Sequence, residues 1–233
     1  SRCEQKEEKV EPGETKQEEK IEEKNIEKEM TEEEKNTLLK IIDELKYLDY
    51  RGESFKSSDL TNQEVLQFAI TKVKQVEGTS FTELENITKK YLGYNIKAEN
   101  ILCVPHYAET PGSKYVYKYN PSYDEEHLGH GGGGFMTDIY NRYKDSKIIN
   151  DEYKITVYKA FSEILGDVWE TDDFKYYPTY EDAATEKNEL FTSRENKVIK
   201  KLNEIDASKL TEFTYTFKLE NDNFILVSYD INK

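Results

Sequence analysis

The chain has 233 residues, 33 basic and 48 acidic, and a net charge of -15. That balance excludes a phosphate-backbone binder, which needs a basic patch, and it excludes simple docking on anionic lipid or cell-wall polymers. Charged residues make up 35% and mean hydropathy is -0.90; no apolar run approaches the roughly 20 residues of a membrane span, and no apolar signal-peptide core stands at the start.

The length suits one large or two small domains. Residues 1–30 are Glu/Lys repeats around Pro12-Gly13 with almost no apolar side chains. Such a segment buries too little surface to offset its chain entropy and reads as a disordered acidic tether. Cys3 in this tail and Cys103 in an apolar run are expected to be unpaired, because a bridge would tie the tail to the core.

Residues 31–98 read as a helical segment. Thr31 with Glu34, Thr61 with Glu64 and Ser80 with Glu83 are three capping boxes, in which the hydroxyl accepts from the third backbone N–H and the Glu reaches back to the cap. Each precedes an apolar stripe at helical spacing: Leu38, Ile41, Ile42, Leu45 and Leu48; Val65, Phe68, Ala69 and Val73; Leu84, Ile87, Tyr91 and Leu92, with Gly93 as the stop.

After Gly93 the period changes to two, and residues 99–233 read as an α+β sheet domain. Ile101–Val104 and Tyr115–Tyr119 are strand candidates joined across Thr110-Pro-Gly-Ser113. Phe135 to Tyr143 fits a helical stripe or an alternating strand. The Gly-rich stretch before it and the Asn150-Asp151 turn after it favour the strand. In Tyr153–Phe161, Tyr153, Ile155, Val157 and Phe161 share one face, with Lys159 a lone misfit on that apolar side. Residues 165–181 read as a long connection, followed by helices at about 180–190, capped by Thr179, and about 193–206, with a Thr192/Glu195 box. The end is a hairpin. Phe213, Tyr215, Phe217 and Leu219 alternate on one arm, Ile225, Val227, Tyr229 and Ile231 on the other, and Glu220–Asn223 makes the turn. Strands joined by hairpins imply a mostly antiparallel curved sheet against helices, of cystatin- or NTF2-like kind.

The runs Tyr153–Ile164, Tyr177-Pro-Thr-Tyr-Glu-Asp-Ala183, Phe213-Thr-Tyr-Thr-Phe-Lys218 and Val227-Ser-Tyr-Asp-Ile231 resemble exported lipoproteins of low-GC Gram-positive bacteria, a group of uncharacterised function. High Lys, Asn, Ile and Tyr usage fits that source. The resemblance covers the C-terminal half. It implies an extracytoplasmic, cell-surface or secreted location, a lipid anchor at or near the N-terminus, and an α+β fold. It brings no catalytic residue.

Two constellations carry candidate chemistry. His106, His127 and His130, with Asp124, Glu125 and Glu126 nearby, are the chain's three imidazoles and lead into Gly131–Gly134. They form a candidate open Zn²⁺ site, with Glu126 as general base of a metal-dependent hydrolase. The spacing matches no named metal motif, and the plain alternative is a Gly-rich bend before a strand. Trp169, Phe174, Tyr176, Tyr177 and Tyr180 cluster outside clear strand periodicity. They are the candidate ligand-binding residues for a protein, peptide or small ligand, since such rings offer contact area at low entropy cost. The alternative is an aromatic lid closing the core. Cys103 has no nucleophile's partner, because His106 falls on the opposite strand face. Asn221-Asp222-Asn223 is calcium-like in composition without the loop pattern. The favoured reading is a non-enzymatic, surface-tethered binding domain with no cofactor; a zinc hydrolase and a structural spacer or assembly part are the alternatives.

Overall fold

The computed structural model describes residues 25–73, 81–96, 137–163 and 172–232. Within them lie six α-helices and an open antiparallel sheet of eight strands, an α+β architecture. In chain order these are β1 (Glu27–Lys28), α1 (Glu32–Glu44), α2 (Lys46–Asp49), β2 (Phe55–Lys56), α3 (Asn62–Ile70), α4 (Phe81–Leu92), β3 (Ile139–Ile149), β4 (Glu152–Ser162), β5 (Phe174–Tyr177), α5 (Tyr180–Thr185), β6 (Phe191–Ser193), α6 (Val198–Glu204), β7 (Glu212–Glu220) and β8 (Asn223–Asn232).

The capping boxes at Thr31/Glu34 and Thr61/Glu64 form with both reciprocal hydrogen bonds. Ser80 lies outside the described residues. Gly93 ends α4 at φ +59°, and its N–H donates to the Lys89 carbonyl. A Cβ there would stand 3.0 Å from Ile225 Cγ2, so glycine serves both the backbone and the close approach of β8.

The sheet runs β1-β3-β4-β7-β8-β2, every pair antiparallel, with β5 and β6 branching from the end of β4. The β3–β4 hairpin turns at Asn150 and Asp151, φ 50° and 63°, and the closing hairpin turns at Asn221 and Asp222, φ 48° and 63°. Left-handed φ at both central residues matches the right-handed strand twist, and Asn and Asp tolerate it. The closing hairpin pairs directly with β4: Ile155 opposes Tyr215 and Val157 opposes Phe213.

Four local expectations differ. Phe174–Tyr177 is a strand, because the end of β4 offers it a free edge at Phe161 and Ser162. The helix at 180 stops at Thr185, where Glu186 turns left-handed at φ 55°. The helix expected at 193–206 starts at Val198; Thr192 belongs to β6 and donates to Glu189, so its box with Glu195 does not form. The alternation on β8 breaks at a bulge. Thr216 pairs with Ser228 and Phe217 with Leu226, so Val227 is the extra residue and Leu226 takes the buried position.

One core joins the helices to the sheet. Leu38, Ile42 and Leu45 of the first helical stretch, Val65, Phe68 and Ala69 of α3, and Leu84 and Leu92 of α4 pack on Ile155, Val157, Phe161, Phe213, Tyr215 and Phe217. The other face of the sheet carries a smaller core of Ala160, Tyr176, Val198 and Leu202. Arg142 of β3 fixes α6 there by donating to the Leu202 and Ile205 carbonyls at 3.2 and 2.8 Å, where a cation suits a helix C-terminus.

The misfit Lys159 points into the main core and is fully buried. Its Nζ is 3.3 Å from Asp49 Oδ2, also buried, and 2.7 Å from Asn141 Oδ1. Tyr215 and Tyr229 donate to Asp49 Oδ1 at 3.2 and 2.7 Å. Burial pushes the Lys159 ammonium down and both phenols well up from their usual values.

Tyr47 and Tyr91 are likewise pushed up to about 12, chiefly by burial. A phenol whose folded value lies above its unfolded value of about 10 holds its proton longer in the folded state, so its stabilisation is present below pH about 10 and lost as pH rises through the folded value. Lys159, shifted down, has the opposite sign below about 10.5. We therefore expect urea midpoints to fall above about pH 10, with tyrosinate absorbance appearing together with unfolding. Tyrosinate signal from these phenols in the still-folded protein near pH 10 would contradict it.

Candidate functional site

The concave surface of the described residues centres on the closing turn of the sheet. Helix α4 presents Asn86, Lys89 and Lys90, positions that share a helix face. Helix α1 presents Lys40, Ile41 and Glu44. Between them the turn raises Asn221, Asp222, Asn223 and Phe224. Two hollows result, of about 320 and 270 Å³, and they share Lys90 and Asn223, so they form one groove. Each is near the lower end of small-ligand sites, roughly 300–1,000 Å³.

Sequence builds the groove by local means. Gly93 lets α4 end against Ile225, which sets the helix beside the turn. The Asn221-Asp222 turn is tight, so the Asn223 side chain folds back and donates to the Asn221 carbonyl at 3.3 Å. Tyr91 closes one wall by donating to Glu44 Oε2 at 2.6 Å, and its phenol is pushed up to about 12, first by burial and then by that carboxylate. Phe224 packs edge-on against Tyr153, ring centroids 5.0 Å apart. Lys89 pairs with Glu85 at 3.2 Å, whereas among the described residues Lys40 and Lys90 make no ion pair; Lys90 lies over the Tyr91 ring at 5.2 Å. The groove thus offers ammonium and amide donors, carboxylate and carbonyl acceptors, and an apolar strip of Ile41, Tyr91 and Phe224.

The residues singled out from the sequence are placed elsewhere. Tyr176 and Phe174 enter the smaller core, where Tyr176 stacks on Phe191 at 5.4 Å. Tyr177 is buried in the main core. Tyr180 is half-buried, edge-on to Tyr50 at 5.6 Å. The cluster is therefore divided between two cores, with Tyr176 and Tyr177 closed to solvent. Trp169, His106, His127, His130, Glu126 and Cys103 lie outside the described residues, as do the strand candidates 101–104 and 115–119. Among the described residues, no group of three or more His, Cys, Asp or Glu could hold a metal, and no helix is long and apolar enough to cross a membrane. A crevice beside Asp49, lined by Gly52, Phe161, Tyr180, Phe213 and Tyr229, has about 10 Å³ of free space, room for about one water molecule.

The sequence signals for the groove were Gly93 and the Asn221–Asn223 run. The second had been weighed only as a cation loop; its left-handed backbone shows it to be a hairpin turn. Compared with known proteins, the chain matches no family model, no curated protein and no solved structure.

The turn that shapes the groove rests on two residues at positive φ. Asn221→Ala and Asp222→Ala should each lower stability by about 1 kcal/mol, read from urea midpoints, while Asp222→Gly should be neutral or stabilising. Equal loss in the Gly and Ala variants would show that side-chain contacts, and not backbone conformation, hold the turn.

Proposed function

We infer that this is a non-enzymatic, extracytoplasmic binding domain carried on an acidic tether, and that its ligand lies in the groove between α1, α4 and the β7–β8 turn. The observation that carries this reading is the continuity of the two hollows through Lys90 and Asn223. Donors and acceptors alternate around an apolar strip, the arrangement that fixes a polar ligand's orientation while burying its less polar face. Positive and negative groups are both present on its walls, which suits a neutral, amide- or hydroxyl-rich ligand such as a short peptide or a saccharide. The chain's net charge of -15 disfavours acidic ligands at long range.

The groove walls are two helices and a tight hairpin packed on a common core, so the site is held by regular elements. Attachment at the chain's N-terminal side would leave this groove free, and the resemblance to exported lipoproteins is what supports the surface location.

An amide-resonance NMR titration with neutral oligosaccharides and short uncharged peptides tests the reading. Shifts should cluster on residues 86–93 and 220–225. The Lys90→Glu, Asn223→Ala double variant should weaken binding at least about tenfold, about 1.4 kcal/mol, without changing the fold. Binding that perturbs other residues and survives the double variant would reject the groove as the site.

A further inference from the structure

Lys159 and Asn141 are directly opposed on neighbouring strands, and the Lys159 amine is 2.7 Å from the Asn141 amide oxygen. Two carboxylates flank them. Asp49 Oδ2 lies 3.3 Å from Lys159 Nζ, and Asp43 Oδ1 accepts from Asn141 Nδ2 at 2.8 Å. One carboxylate thus touches the amine and the other the amide nitrogen. From these contacts we propose that Lys159 and Asn141 join in an intramolecular amide cross-link between β4 and β3, formed with loss of ammonia.

The chemistry balances without any co-reactant. Asp49 takes one proton from the Lys159 ammonium. The neutral amine attacks Asn141 Cγ, so the Nζ–Cγ bond forms and the Cγ–Nδ2 bond breaks. A second amine proton passes to the departing nitrogen and completes ammonia; the third stays on the new amide. The proton parked on Asp49 leaves with the ammonia as ammonium. No atom is oxidised or reduced.

The surroundings favour each part of this step. A lysine in bulk water is protonated and cannot attack a carbonyl. Lys159 is fully buried, with the Phe213 and Tyr215 rings 5.5 and 5.2 Å from its Nζ, and burial shifts it toward the neutral amine. Cross-strand pairing holds nucleophile and amide together, which supplies the proximity such a reaction otherwise lacks. Asn141 is only half-buried and Asp43 is exposed, so the leaving nitrogen faces solvent while the amine faces the core. Asn141, and not Asp49, is the acyl group. Asp49 carries three donors, Lys159, Tyr215 and Tyr229, which hold it as a carboxylate, and a carboxylate is a poor target for an amine. The cross-link closes the β3–β4 hairpin that carries most of the sheet's pairing, and it is independent of the groove.

Intact mass of the folded full chain, followed by a peptide map, tests the proposal. The protein should be lighter than its sequence by one ammonia, and digestion should yield one branched peptide joining the segments that contain Asn141 and Lys159. Asn141→Ala should restore the full calculated mass. A second variant, Asp49→Asn, should show full or slowly falling mass if it folds. The proposal is overturned by a folded wild-type chain of full calculated mass. It is equally overturned by ammonia loss without the branched peptide, or by water loss with Lys159 joined to Asp49.

Discussion

Asp49 is the point at which the helical half of the chain is fastened to the sheet. Its carboxylate ends α2 and receives groups from three adjacent strands: Lys159 from β4, Tyr215 from β7 and Tyr229 from β8. A buried carboxylate or ammonium is costly alone, and together they are weak evidence for stability. Their effect here is on geometry. Any sliding of α2 along the sheet would strand a charge in the core, so packing of the helices is held to one register. Nearby hydrogen bonds follow the same line: Tyr50 donates to the Thr137 carbonyl at 3.0 Å, and Ser57 to the Leu226 carbonyl at 2.6 Å. The short α2–β2 stretch is thus a polar seam in an otherwise apolar contact.

That register places the groove. With α2 fixed on the sheet, α1 extends from it toward the β7–β8 turn, and α4 reaches the same turn from the other side through Gly93 and Ile225. The turn itself is tight because Asn221 and Asp222 accept left-handed backbone. The groove is what remains between two helices that cannot close over a protruding hairpin. Its walls are polar because they are the solvent sides of α1 and α4, whose apolar stripes face the core.

Features governed by near neighbours were legible in the sequence. Two capping boxes, the Gly93 stop and both hairpin turns depend on residues within four positions of one another, and they form as expected. The strand pattern in Tyr153–Phe161 was equally plain, because its period is set by the pleat. What failed to show was decided by distant partners. Phe174–Tyr177 pairs because β4 extends past β7 and leaves an edge. Thr192 is drawn into β6 and spends its hydroxyl on Glu189. The Val227 bulge inverts part of the alternation without any Gly or Pro to mark it. The aromatic run looked surface-like only because its two covering layers, α5 and α6, are short and weakly periodic.

Lys159 joins these two classes. Its position on an apolar face was visible as an irregularity, yet nothing local showed what it meets. Asn141 lies eighteen positions away by way of a hairpin, and Asp49 one hundred and ten positions away through the helical segment. A charged residue inside an alternating apolar face costs several kcal/mol unless it is paired, so the sequence already demanded a buried anion somewhere in the chain. The pleat requires that partner to come from outside β4, and the antiparallel neighbour supplies the amide directly opposite. One break in a two-residue period therefore specifies a long-range contact, and the fold supplies it where the helices must be aligned.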